Sequence, residues 1–245
     1  MTAYAPDAEQ RADGDIFAVL EETSQTELQA FSHHISYLKG DLIFQEGEVS
    51  PGLYRIHKGY VKYGKFCGSH EQQRLLKILG PGDLLGIEIL FGRPGCGCPG
   101  FARALSDDVE VDFFDREPLI AFLTNHPQVL LQLCQRMADE VTIFECKLTE
   151  LAYTPMATNL TRLLLVLARR LGQPVAEGHR LPPGLGRFDL AELTGAHPDT
   201  ISRLLHELQT EGALLVRGHE LIVTDMVRLR QLAGPETACI DFSLF

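Results

Sequence analysis

The densest run of hydrogen-bonding chemistry in this 245-residue chain lies between residues 197 and 206. Asp199, Thr200, Ser202, Arg203 and His206 fall on one side of a predicted helix, with His197 just ahead of it. Ile201, Leu204, Leu205 and Leu208 fall on the other side at i, i+3, i+4 and i+7, the spacing of a buried face. An exposed arginine on such a helix suits the O6/N7 edge of guanine, and an aspartate can accept from the cytosine amino group. Thr200 and Ser202 can hydrogen-bond to phosphates or bases. The second chemically loaded group is cysteine, at 67, 96, 98, 134, 146 and 239. Cys96-Gly97-Cys98 sits in the Gly/Pro-rich loop 92–100, and Cys67 in a polar hairpin tip, 64–73. A C-x-C in a loop is poor core material and suits ligation, because two thiolates can converge on one centre. Cys134 on the heptad stripe and Cys239 in the tail read as packing residues with no special chemistry.

These residues need elements to position them. Asp189, with Glu192 three residues on, has the spacing of a capping box, and Gly195 ends a short helix that starts there. Pro198 suits the first turn of the next helix, and small Ala191 lies where the two would cross. Residues 213–223 read as a hairpin turning near Gly218, a wing beside the helices. Two short helices and a tight turn are the helix-turn-helix layout, whose second helix enters the major groove of DNA. An amphipathic helix followed by a hairpin also occurs in domains that never touch DNA. Upstream, residues 35–114 alternate with period 2 and are punctuated by glycine, which reads as an all-β roll or small barrel after a helical lead-in at 16–32. A short helix is predicted over 117–123, a long one from Pro127 to Pro155 and a Leu-rich one over 157–171. On the long helix Leu130, Cys134, Met137, Val141, Phe144, Leu148 and Leu151 step by four and three, a heptad stripe. It fits either a seam between two chains or one helix packed on its own roll, with Leu131 and Ile143 off the stripe for packing within the chain.

The net charge of −11, from 22 Lys+Arg against 33 Asp+Glu, at first argues against a polyanionic partner. Its distribution removes the objection. Residues 155–234 hold 9 Lys+Arg and 8 Asp+Glu, whereas residues 1–154 hold 13 and 23. The acidity therefore belongs to the predicted roll and its flanks. The longest purely apolar run, 163–168, is far short of the roughly 18–20 residues of a membrane span. The acidic start lacks the basic and apolar segments of a signal peptide, so a cytoplasmic protein with no membrane partner is expected. In that reducing compartment six cysteines do not make a disulfide framework.

The order of β-roll, heptad helix and winged helix-turn-helix resembles the CRP/FNR family of bacterial transcription regulators over residues 16–234. The segments that carry the resemblance are Gly52-Leu53-Tyr54-Arg55-Ile56-His57-Lys58-Gly59, Gly80-Pro81-Gly82-Asp83-Leu84-Leu85-Gly86 and Asp199-Thr200-Ile201-Ser202-Arg203-Leu204-Leu205. It implies an α+β fold: a cyclic-nucleotide-binding-like jelly roll over 16–126, a dimerisation helix over 127–154, a winged helix-turn-helix over 155–234 and a tail, 235–245. It also implies a homodimer, a palindromic double-stranded DNA site, an effector pocket between roll and dimer helix, and RNA polymerase as a partner.

Three departures qualify the resemblance. Members that bind cyclic nucleotides carry Gly-Glu-Leu and then Arg-Ser or Arg-Thr around the cyclic phosphate. Here the matching places read Gly86-Ile87-Glu88 and Cys98-Pro99, and Phe144 falls where the base is contacted, so cyclic AMP or GMP is not expected. Residues 99–105 resemble the oxygen-sensing FNR branch, but no cysteine precedes Cys67, so that branch's N-terminal cysteine cluster does not transfer. Asp199 stands where many members have Glu, one methylene longer, which alters the expected target. By analogy with the family fold, the 64–73 hairpin, the 92–100 loop and the middle of the dimer helix approach one another. Cys67, Cys96, Cys98 and Cys146 could then hold an iron–sulfur cluster or another thiolate-bound metal, or form a reversible disulfide. The leading expectation is a homodimeric regulator whose DNA affinity follows a signal sensed in the roll, redox or metal among the candidates. The alternatives are a constitutive DNA binder of the same fold and a thiol oxidoreductase using Cys96 and Cys98. For the last, the sequence offers no C-x-x-C at a helix start and no positioned base.

Overall fold

The computed structural model describes residues 15–49, 52–67, 72–93 and 95–234, without the side chains of residues 72 and 149–152. Cys239, the tail 235–245 and the side chain of Leu151 lie outside the described residues.

The glycine-punctuated, alternating stretch forms two four-stranded antiparallel sheets, ordered β1-β8-β3-β6 and β2-β7-β4-β5. The strands are β1 (Ser32–Tyr37), β2 (Leu42–Phe44), β3 (Gly52–Lys58), β4 (Val61–Cys67), β5 (Gln72–Leu79), β6 (Leu84–Leu85), β7 (Phe101–Ala104) and β8 (Val109–Asp115). Their inward residues, among them Phe44, Tyr54, Ile56, Val61, Tyr63, Ala102 and Val111, interdigitate as the core of the roll. A short helix, α2 (Ile87–Leu90), follows β6. The lead-in is not one helix: a 3-10 turn, Ile16–Val19, is separated from α1 (Glu22–Ala30) at Leu20. Leu20 is extended and buried, so packing its side chain breaks the run that sequence pattern alone would continue.

After β8 come α3 (Arg116–Asn125) and α4 (Pro127–Tyr153), the latter 27 residues and so about 40 Å long. The start of α4 packs on the roll through Val129 and Leu133, both fully buried with Phe17, Leu53, Phe114 and Phe122. Leu131, expected to serve that packing, is instead 60% exposed, because it lies on the opposite side of the helix from Leu133. Farther along, Lys77 of β5 reaches Glu140 (2.7 Å), and Lys147 donates to the carbonyl of Leu76 (3.2 Å).

The C-terminal part comprises α5 (Met156–Leu171), β9 (Gln173–Val175), β10 (Gly178–Arg180), α6 (Arg187–Thr194), α7 (Pro198–Thr210), β11 (Leu214–Arg217), β12 (Glu220–Val223) and α8 (Met226–Leu232). Its sheet runs β11-β12-β10-β9. The apolar stripe of α5, with Leu160, Leu164, Leu165 and Leu167, packs beneath α6, α7 and α8. This core continues without a break into the outer face of the roll at Tyr60, Leu75, Ile78, Phe101 and Leu105. Among the described residues no helix is long and apolar enough to cross a membrane.

Candidate nucleic-acid interface

The turn between α6 and α7 rests on local backbone chemistry. Gly195 ends α6 in the left-handed conformation (φ 75°), a shape glycine adopts without Cβ strain, and its N–H donates to the carbonyl of Ala191 (2.7 Å). Ala191 is buried between the helices, as the sequence suggested. The cap differs from the expected one. α6 begins two residues before Asp189, with Gly186 as its N-cap, and Asp189 at the third helical position accepts from the Gly186 N–H (2.9 Å). Glycine has no side chain to return the bond, so half of a capping box is made. Glu192 takes no part in it and accepts instead from Gln73 Nε2 (2.8 Å).

α7 opens with Pro198 at its first turn, and Ile201, Leu204, Leu205 and Leu208 are all buried. The side chains of Asp199, His197 and Arg203 are 89%, 74% and 64% exposed, and His206 is also exposed. Thr200 and Ser202 are half-buried. His197 is the N-cap: its Nδ1 accepts from the Asp199 N–H at 3.4 Å, which satisfies an otherwise open helix donor. Ser202 Oγ donates to the carbonyl of Pro198 (3.0 Å), leaving its lone pairs outward. Arg203 Nη1 donates to Glu207 Oε1 at 2.6 Å across one turn. Glu207 was not singled out from sequence, although the i, i+4 spacing of opposite charges marks such a pair. The structure thus places all six sequence-predicted residues on α7 or its N-cap, and a cation and two carboxylates face solvent there. The wing turns at Gly218 (φ 60°), and Arg217 beside that turn donates to Glu177 (3.0 Å).

The four cysteines of the predicted thiolate site are dispersed. Cys67 and Cys96 are exposed, whereas Cys98 and Cys146 are buried in two different core clusters. Among the described residues no group of three or more His, Cys, Asp or Glu side chains lies where it could hold a metal. The C-G-C spacing has a packing reason. A Cβ on Gly97 would fall 2.3 Å from the carbonyl oxygen of Gly47, and Cys98 exchanges backbone bonds with Gly47 (2.9 Å) and Glu48 (2.8 Å). The donor set does not fit a four-thiolate cluster, since Cys98 points into the roll's apolar core. Beside it Tyr63 is buried and hydrogen-bonded to Glu88; burial, with that carboxylate nearby, pushes its phenol well above the ordinary range. Lys77, paired with Glu140, also lies over the rings of Phe144 (5.4 Å) and Tyr63 (5.8 Å).

Residues 159–232 match the family model described as a Crp-like helix-turn-helix domain, and residues 34–126 match the cyclic nucleotide-binding domain. Among curated proteins, the chain is 27% identical over 223 residues to a CRP-like cAMP-activated global transcriptional regulator of Mycobacterium tuberculosis, covering 91% of this chain and 97% of that protein. It is 28% identical over 202 residues to the fumarate and nitrate reduction regulatory protein of Escherichia coli, covering 80% of this chain and 76% of that one. Among solved structures, FixK2 from Bradyrhizobium japonicum superposes with a TM-score of 0.72 at 25% identity, covering 84% of this chain and 99% of that one.

Proposed function

Because the chain belongs to the CRP/FNR family of bacterial transcription regulators, we propose that it acts in the cytoplasm as a homodimer reading a palindromic duplex through α7, with RNA polymerase as its partner. The observation that carries this reading is the bare polar face of α7 on a buried helix-turn-helix scaffold. Arg203 donates to the O6/N7 edge of guanine, Asp199 accepts from a cytosine amino group, and Thr200, Ser202, His197 and His206 contact neighbouring bases or phosphates.

Dimerisation is supported by α4. Of its heptad stripe, Met137, Val141 and Leu148 are 38%, 58% and 70% exposed and Cys134 is exposed, an apolar row that water leaves unsatisfied, while Leu130 and Phe144 are half-buried at its margin. Two such helices side by side set two copies of α7 about one helical turn of DNA apart, roughly 34 Å. The near-neutral charge of residues 155–234 makes that pairing necessary for tight binding, because few phosphates are neutralised by one module.

For the roll, the packing favours a regulator that works without a bound effector. Where the roll and α4 meet, buried Tyr63 is hydrogen-bonded to Glu88, and Lys77 pairs with Glu140 over the rings of Phe144 and Tyr63. The competing reading of a four-thiolate metal or cluster sensor requires Cys98 and Cys146 to leave two separate cores.

Selection from a pool of random duplexes tests the proposal. The expected result is enrichment of a two-fold symmetric site bound by two chains, with the same affinity in air, under anaerobic conditions and with added cyclic AMP. Absence of any enriched sequence overturns the DNA-reading assignment; a change of affinity with oxygen or cyclic AMP overturns the effector-independent one.

A further inference from the structure

The helix-turn-helix is not tethered to the roll by a linker alone; α6 lies across the outer face of the β4–β5 hairpin, and the contact is specific. Lys62, Phe66, Gln73 and Ile78 share that face, as the pairings Lys62↔Ile78 and Phe66↔Gln73 require. Lys62 Nζ sits 2.8 Å from Asp189 Oδ1, with the two side chains only 18% and 12% exposed. One helical turn on, Gln73 holds Glu192 at 2.8 Å. At the end of α6, the Arg74 guanidinium presses on Gly195 so closely that a Cβ there would fall 2.0 Å from it.

Resting on the DNA-reading proposal above, we infer that Lys62 and Asp189, with Gln73 and Glu192, are positioning residues for DNA recognition: they lock α6 onto the roll and so set the angle and separation at which the paired α7 helices meet their half-sites. The contact grips α6 on the side away from the reading face. An inhibitory contact would cover His197, Asp199 and Arg203, and this one leaves all three solvated. The pair is also sheltered, which gives it directional stiffness that an exposed ion pair lacks. Asp189 joins the two functions in one carboxylate, since Oδ2 starts α6 at Gly186 while Oδ1 binds the roll.

Half-site spacing provides the readout, because a change in simple stability or in base contact does not alter it. Asp189→Asn keeps an oxygen for the Gly186 N–H and removes the ion pair; Lys62→Met keeps the stem and removes the cation. Each variant, confirmed as folded by circular dichroism and with the dimer state of the parent, is titrated against duplexes carrying the selected half-sites at spacings varied by one base pair. The parent is expected to prefer one spacing sharply. Both variants should bind that spacing about tenfold more weakly, equivalent to about 1.4 kcal/mol. They should show a flattened spacing profile, and bind a duplex with a single half-site as the parent does. The double variant should be no worse than either single one, since both remove the same contact. Gln73→Met supplies an independent, uncharged route to the same flattening. An unchanged spacing profile, a proportional loss on the single half-site, or tighter binding by the variants overturns the inference. Failure of the parent to select any site instead overturns the reading on which it rests.

Discussion

The two ends of the molecule treat polar chemistry in opposite ways. The polar face of α7 puts its carboxylates, Arg203 and His197 into water, each fixed by short-range bonds along one helix. Where the roll meets α4, buried Tyr63 is hydrogen-bonded to Glu88, and Lys77 pairs with Glu140 above the rings of Tyr63 and Phe144. A surface that reads a macromolecule must be incomplete until its partner arrives. A pocket whose residues already satisfy each other offers a small ligand little to gain, because the ligand must first displace those contacts. Under the proposed function, recognition falls to one end and support to the other.

The largest effect expected from breaking this contrast is at Arg203. Each bidentate arginine–guanine contact contributes about 1–3 kcal/mol of discrimination, and the proposed dimer makes two. Arg203→Ala should therefore weaken specific binding on the order of 10³-fold while non-specific binding changes little, as fluorescence anisotropy with specific and scrambled duplexes would show. Sedimentation should find the same dimer. The roll responds next: Tyr63→Ala should cost about 3 kcal/mol in chemical denaturation, the usual cost of deleting a fully packed aromatic ring. It should not abolish half-site recognition by a folded dimer.

Those two residues also mark how far sequence reasoning reaches. The placement of Arg203 on the exposed side of α7 was legible because helical period, Pro198 and the turn at Gly195 are separated by only a few residues and obey local rules. The alternating roll and the heptad stripe were legible for the same reason. The start of α6 was misjudged because 186-x-x-189 and 189-x-x-192 have equal spacing, and only the structure shows Gly186 taking the cap. Cysteine placement was less accessible still. Cys98 is buried because Gly97 packs on Gly47, fifty residues away, and Cys146 because α4 lies against the sheet that holds Phe66 and Leu75. The contacts between roll and reader, Lys62 with Asp189 above all, join residues 127 apart and left no local signature.

A smaller effect sharpens the assignment of α4. Val141→Glu places a charge in the centre of the exposed apolar row, where the proposed mate presents the same charge. Dimer dissociation should strengthen by about 30-fold, equivalent to about 2 kcal/mol, when measured by sedimentation equilibrium. The isolated chain should keep its thermal midpoint, because the side chain is 58% exposed in one protomer.

The smallest effect separates two carboxyl groups, one in the roll and one where the reader meets it. Asp112 is pushed up by burial but held below its ordinary value overall by hydrogen bonds from Arg55 (2.7 and 3.2 Å) and His34 (3.1 Å). Its contribution to stability is present above the unfolded value near 3.8 and is lost as pH falls through the lower folded one. Glu192 has the opposite sign. Burial raises it above 4.5, and although Gln73 serves Oε1, Oε2 is buried with no hydrogen-bond partner among the described residues. The folded state therefore holds the proton more tightly than the unfolded one, and stability declines as pH rises from about 4.5 through the folded value. Glu192→Gln keeps the oxygen that Gln73 binds and removes the buried charge. It should raise the thermal midpoint at pH 7 by about 2–4 °C, the scale of a change near 1 kcal/mol in a chain of this size. The gain should vanish toward pH 4, where Glu192 is protonated in both states. Asp112→Asn should instead lower the midpoint at pH 7 and converge with the parent in acid. Parallel slopes for the two variants would show that the carboxylates of roll and interface share one environment, and the contrast between the two ends would fail at the place where they touch.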